Sequence, residues 1–177
     1  MFDFNSERRA LIGKDVIRTE PTRLTEDEIN RLSVLLTTYA GNGQACYSLS
    51  AKNNLTLYVV YDQDIGYVQG MSDIGVVILD LYEQDHVAFW VFTKFMHRIR
   101  GNFEKSQKAM KLQFQALRIL LAFTDREMLQ FFDDRDTGHM FFTFPWLLVI
   151  FRRLCSWEQL PQLWDCKLML DCPKFDH

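Results

Sequence analysis

Apolar residues recur at three- and four-residue intervals through most of this chain, and the polar residues that interrupt them supply helix starts and turns. Thr25 followed by Glu28 makes a capping box, in which each side chain satisfies a backbone N–H that a first helical turn leaves without a partner. Leu24 and Ile29 are spaced as its hydrophobic staple. Ile29, Leu32, Leu36 and Tyr39 then follow at helical spacing, which predicts a helix from Glu26 to Ala40. Gly41 to Asn54, with Gly41, Asn42, Gly43, Lys52, Asn53 and Asn54, reads as a loop. Leu55 to Tyr61 has strand propensity at Thr56, Tyr58, Val59 and Val60, yet one strand without a sheet partner leaves its backbone unpaired, so a helix is expected.

Ser72 or Asp73 can cap a helix running to about Tyr82, and Asp85 can cap another carrying Phe89, Trp90, Phe92 and Phe95. Phe103, Met110, Phe114, Leu117 and Leu121 predict one face of a long helix. Asp125 then caps a shorter one that buries Met128, Leu129, Phe131 and Phe132. Asp133 to Gly138 reads as a turn, with Gly138 free to take positive φ. Thr143 and Pro145 suit the start of a helix whose buried body is Trp146 to Phe151. Ser156 and Gln159 make a second capping box, and Pro161 falls in the second turn beyond it, where a bend is expected.

Composition agrees with helices packed through aromatic faces: 48% of the 177 residues are apolar, 15 are Phe, and only eight Gly and four Pro break the chain. That length suits a single domain with a core of its own. Trp90, Trp146 and Trp164 are expected in this core rather than around a ligand. A net charge of -3 gives no electrostatic footprint for nucleic acid or for firm adhesion to an anionic membrane. The basic stretch from His97 to Lys111 reads as a solvated face. Acidic and polar residues, among them Asp73, Asp80, Glu83 and Asp85, interrupt the most apolar run, Met71 to Phe95, so no transmembrane segment is expected. Cys46, Cys155, Cys166 and Cys172 form no CxxC pair and read as reduced thiols of a soluble cytoplasmic chain.

Several chemistries lack their residues. The turn at Asp134 begins like a calcium loop, but its twelfth position is Pro145 rather than glutamate. His86, His97, His139 and His177 have no zinc-ligand spacing, so no metal site is expected. Without a GxxxxGK[ST] loop the chain has no sequence basis for cradling nucleotide phosphates itself. No serine stands in a GxSxG elbow.

Two segments place polar residues where a packed helical protein ordinarily has loop filler: Ile12-Gly13-Lys14-Asp15-Val16-Ile17-Arg18-Thr19 and Tyr67-Val68-Gln69-Gly70-Met71. Taken singly, an Arg-Thr is most often surface and a Gln-Gly most often a turn. Together and in this order they resemble the IxxDxxRT and YxQG motifs of the TBC-domain family of Rab GTPase-activating proteins. Gly66 to Asp73, Ala88-Phe89-Trp90, Asn102-Phe103-Glu104 and Asp136-Thr137-Gly138 leading into Phe144, Trp146, Leu147 and Leu148 extend the likeness over roughly Glu7 to Asp165.

The resemblance implies an all-α, two-lobed helical domain, short or truncated at both ends, with a finger lobe over about 1–100 and an aromatic-helix lobe over about 101–177. It implies a chain that is not itself an enzyme but accelerates GTP hydrolysis by a GTP-bound Rab-family GTPase, with Arg18 as an arginine finger and Gln69 as a glutamine finger supplied in trans. Ile12, Asp15, Thr19, Tyr67 and Gly70 support the finger loops. Asp15 could hold the Arg18 guanidinium or cap a turn, and Tyr67 and Met71 read as packing anchors. GTP and Mg²⁺ belong to the Rab, so no cofactor of this chain's own is expected, and membrane contact is indirect, by recruitment to endomembranes. The chain departs from the family pattern at Pro145, where an arginine is common, and at Gly41 to Asn54, an insertion between the two fingers. A Rab-binding scaffold with this fold but without turnover is the alternative reading. Trp164 to Leu170 are expected to leave an apolar face exposed.

Overall fold

The computed structural model describes residues 4–20, 22–40 and 65–170. The loop expected over Gly41 to Asn54 and the helix expected over Leu55 to Tyr61 lie outside the described residues. Among those described, every regular element is helical, as the periodicity predicted: α1 (Phe4–Thr19), α2 (Glu26–Ala40), α3 (Met71–Leu81), α4 (Asp85–Ile99), α5 (Lys108–Thr124), α6 (Arg126–Asp133), α7 (Phe144–Leu148) and α8 (Gln159–Leu170). Two compact units divide between Ala109 and Met110.

In the first unit α1, α2 and α4 pack on α3. Positions Met71 to Leu79 of α3 are all buried, so this helix is enclosed on every side, which its run of Ile, Val and Leu allows. Gly75 lets α2 approach closely: a Cβ there would come within 2.8 Å of Leu32 Cδ1. The capping box of α2 forms as predicted, with Glu28 Oε2 accepting from the Thr25 N–H at 2.8 Å and the Glu28 N–H donating to Thr25 Oγ1 at 3.3 Å. Tyr39 meets Phe92 edge-to-face at 5.1 Å between centroids.

Four expectations in this unit are corrected. Neither Ser72 nor Asp73 caps α3; both are buried within its first turn, and the helix starts from Gly70 at φ 102° with no side-chain cap. Asp85 lies inside α4 rather than before it. Its carboxylate accepts from Arg31 Nε at 2.7 Å, while Arg31 NH2 donates to the carbonyls of Tyr82 and Glu83 at 3.2 and 2.8 Å, fastening the α3–α4 turn to α2. Phe103 belongs to a separate 3-10 turn, Arg100–Phe103, and Gln107 at φ 52° intervenes before α5 begins. Trp90 is 39% exposed instead of being core.

The second unit is built on Met110, Phe114 and Met140, with Leu117, Leu121, Leu129, Phe132, Phe144 and Leu147 packed around them. Asp125 caps α6 as predicted, accepting from the Met128 N–H at 2.9 Å. This helix has only eight residues and turns one face inward, so Leu129 and Phe132 pack while Met128 and Phe131 stay exposed. In the following turn Asp136, not Gly138, takes the left-handed conformation, at φ 55°. Gly138 is needed for space: a Cβ there would collide with the Asp133 carboxylate and the Arg118 guanidinium, which pair at 2.5 Å.

The helix expected through Phe151 stops at Leu148, because Ile150 and Phe151 adopt φ 48° and 60°. A β-branched residue in that region is strained by roughly 1–2 kcal/mol. Burial of Ile150 and a hydrogen bond from Trp164 Nε1 to its carbonyl at 2.9 Å hold it there. Trp164 is thus 4% exposed, contrary to the expectation of an open apolar face at that residue, while the side chains of 167–170 lie outside those described. The Ser156–Gln159 box forms, at 3.3 and 3.4 Å, and Pro161 is the third residue of α8, two positions beyond the box.

Candidate functional site

Both polar segments lie in the first unit. Residues 12–19 are not loop filler but the last two turns of α1, and their order of polar and apolar residues is that of a helix with one buried face. Ile12, Asp15 and Val16 turn inward; Lys14, Ile17 and Arg18 turn out. Thr19 closes the last turn by donating its hydroxyl to the Asp15 carbonyl at 2.8 Å. Arg18 stands in that last turn, where a cation complements the negative end of the helix dipole. Among the described residues its guanidinium has no hydrogen-bond or ion-pair partner.

Residues 65–70 form the approach to α3. Gly66 and Gly70 take φ 65° and 102°, conformations that a side chain would strain, and they bracket a turn in which the Met71 N–H donates to the Val68 carbonyl at 3.2 Å. The Val68 N–H in turn faces the Met71 thioether at 3.4 Å. Tyr67 and Met71 are buried, as packing anchors should be, and Gln69 projects between them into solvent. Gly70 therefore does two things: it turns the chain and it starts the helix.

The two segments meet below their exposed tips. Tyr67 Oη donates to Asp15 Oδ2 at 2.9 Å, a buried bond between residues 52 positions apart. Asp15 thus reaches inward to Tyr67 and does not hold the Arg18 guanidinium. Burial above all, reinforced by the Asp15 and Asp73 carboxylates and opposed by the hydroxyl of Ser72, pushes Tyr67 above its ordinary pKa, so the phenol stays protonated as a donor. Ser72 and Asp73, read from the sequence as helix caps, instead make the polar floor beside Tyr67. Two consecutive polar residues inside the apolar run from Met71 to Leu79 were the available signal.

Other chemistry finds no support in the arrangement. Among the described residues no group of three His, Cys, Asp or Glu side chains is placed to hold a metal ion, and no helix is long and apolar enough to cross a membrane. The site is an exposed guanidinium and an exposed carboxamide on either side of a buried polar contact. Such a pair can stabilise negative charge and orient a water or hydroxyl on a partner, but it has no nucleophile of its own.

Known proteins are similar to this chain in sequence. The Rab-GTPase-TBC domain family matches over residues 3–175. TBC1 domain family member 17 of Mus musculus is 38% identical over 157 residues, covering 89% of this chain and 22% of that relative. GTPase-activating protein gyp7 of Schizosaccharomyces pombe is 33% identical over 164 residues, covering 90% and 21%. Rab GTPase-activating protein 22 of Arabidopsis thaliana is 30% identical over 177 residues, covering 92% and 32%. The chain therefore spans between about a fifth and a third of the length of these relatives. With a match over nearly its whole length, on a fold that is helical throughout the described residues, the chain belongs to the Rab-GTPase-TBC domain family.

Proposed function

We propose that this chain accelerates GTP hydrolysis by a Rab-family GTPase, with Arg18 and Gln69 supplied in trans to the GTP-bound partner. The observation that carries the reading is the buried Tyr67–Asp15 bond, which joins the two motif segments while Arg18 and Gln69 remain exposed. The names of the relatives support the same activity. In hydrolysis a water attacks the γ-phosphorus, the bond to the β–γ bridging oxygen breaks, and GDP and phosphate leave. Negative charge spreads over the bridging and γ-oxygens as that bond loosens. The Arg18 guanidinium, always charged and with several donors, stabilises that charge more in the transition state than in bound GTP. The Gln69 amide can accept a hydrogen bond from the attacking water and donate one to a γ-oxygen, fixing the line of attack. GTP and Mg²⁺ are the partner's, and this chain contributes side chains to its chemistry without needing a cofactor of its own.

Single-turnover hydrolysis across a panel of GTP-loaded Rabs tests this. At least one Rab should respond to the wild type, and Arg18→Ala should lose on the order of 10³-fold of that acceleration. Gln69→Ala should also lose most of it. Acceleration of no Rab, or equal acceleration by both variants and the wild type, removes the reading. A Rab that binds the wild type without hydrolysing faster identifies a scaffold instead.

A further inference from the structure

We infer that α5 pairs antiparallel with α5 of a second copy of this chain, through an apolar stripe that faces away from its own core. Met110, Phe114, Leu117 and Leu121 turn one side of α5 into the second unit. At about 100° per residue, Leu112, Ala116, Ile119 and Phe123 fall on the opposite side. All four are exposed, Leu112, Ile119 and Phe123 to 65%, 59% and 87%, and exposed Leu120 widens the stripe. A helix on the surface of a domain needs only one apolar side, and its other side is ordinarily polar. These five side chains present roughly 500 Å² of apolar surface, a patch size that often marks a binding face.

Spacing and charge both select a second copy as the occupant. Intervals of four, three and four residues from Leu112 to Phe123 are those of a helix–helix seam. They read the same from either end. A two-fold axis between Ala116 and Ile119 therefore sets Leu112 of each copy against Phe123 of the other, and Ala116 against Ile119, so that the larger side chain meets the smaller at each layer. Lys108 and Lys111 stand exposed at the start of α5, whereas Asp125 and Glu127, with Arg126 between them, stand exposed just past its end. Antiparallel pairing brings the basic end of each helix to the acidic end of the other; parallel pairing would set lysine against lysine. A lipid surface is the poorer occupant, because an anionic leaflet attracts the two lysines but repels the two carboxylates at the other end. The two stripes cover roughly 1,000 Å² in all, near the lower bound for specific association, so the dimer forms with rising concentration in the micromolar range. Pairing through α5 requires neither Arg18 nor Gln69.

Sedimentation velocity on the full chain tests this. Between about 5 and 200 μM the wild type should pass from monomer to dimer. Ile119→Glu buries two unpaired carboxylates, one from each copy, at the centre of the seam and should weaken association by about 100-fold or more. Because residue 119 is exposed in a single copy, the same variant should melt within about 2 °C of the wild type when both are dilute and monomeric. Lys108→Glu should weaken the dimer about three- to tenfold, and adding Glu127→Lys to it should restore the pairing, since antiparallel helices bring those two ends together. A wild type that stays monomeric throughout, or a dimer indifferent to Ile119→Glu, overturns the inference. So does a Lys108→Glu dimer tighter than the wild type's, as parallel helices would give. Binding of monomeric wild type to phosphatidylserine–phosphatidylcholine vesicles, lost in Ile119→Glu, also overturns it by assigning the stripe to lipid.

Discussion

At Gly138 the missing side chain matters more than backbone freedom. Arg118 NH1 and NH2 reach the Asp133 carboxylate at 2.5 and 2.8 Å, and NH1 also donates to the Gly138 carbonyl at 2.8 Å. A methyl group at 138 would occupy the space of that pair. Gly138→Ala is therefore expected to lower the midpoint of thermal unfolding, and to lower it less when Arg118 is already alanine, because one of the two clashing groups is gone and the other, the Asp133 carboxylate, is no longer held in place by the guanidinium. Equal effects in both backgrounds would place the cost elsewhere. The local sequence points to Gly138 for backbone freedom, because steric crowding from residues 5 and 20 positions away leaves no local signal. The same limit applied at the site. Short motifs single out Arg18 and Gln69 as candidates, whereas the inward reach of Asp15 to Tyr67 requires the fold to bring residues 52 positions apart together.

Helix starts separate what the chain declares locally from what packing decides. The boxes at Thr25–Glu28 and Ser156–Gln159 and the cap at Asp125 form as read, because each involves a side chain and a backbone group three residues apart. Asp85 looks like a cap locally but instead pairs with Arg31, 54 positions away. The α2 box also responds to pH. The Thr25 backbone N–H first, and then its hydroxyl, hold the Glu28 carboxyl below its ordinary value of 4.5. The folded chain thus binds that proton less readily than the unfolded chain. Its stabilisation is complete above pH about 4.5 and fades as pH falls through the lowered folded value. Glu28→Gln keeps an acceptor that does not titrate, so its melting midpoint should fall less than the wild type's between pH 6 and pH 3. Parallel declines would deny Glu28 that role. Burial within α5 makes a second distinction that periodicity alone misses. Its apolar residues surround the helix, but Phe114 is 6% exposed and Phe123 87%. In chemical denaturation Phe114→Ala should cost about 3–5 kcal/mol. Phe123→Ala should stay within about 0.5 kcal/mol. Similar costs would mean that α5 buries a different face.

Across the whole molecule, the proposed function calls for an exposed Gln69 on a support that does not yield, and the distribution of burial favours one. Gln69 immediately precedes Gly70 and α3, the helix enclosed from Met71 to Leu79, whereas α6 buries no residue fully. Amide exchange opens a structure in units whose stability follows the apolar contacts that opening would expose. Opening α3 strips its unit of its centre, while α6 can fray after losing little more than the contacts of Leu129 and Phe132. Native-state hydrogen exchange should therefore find the amides of Ile74 to Leu79 slower than those of Gln130 to Asp133 by about two orders of magnitude or more, after correction for intrinsic rates. These are amides beyond each helix's first turn, so unpaired N–H groups do not enter the comparison. Catalysis that depends on a fixed Gln69 needs the slow class to extend to the first hydrogen-bonded amides of α3. If Ile74 to Leu79 exchange as fast as α6, the turn carrying Gln69 is mounted on a helix that opens locally, and rigid support from α3 cannot be what orients the amide.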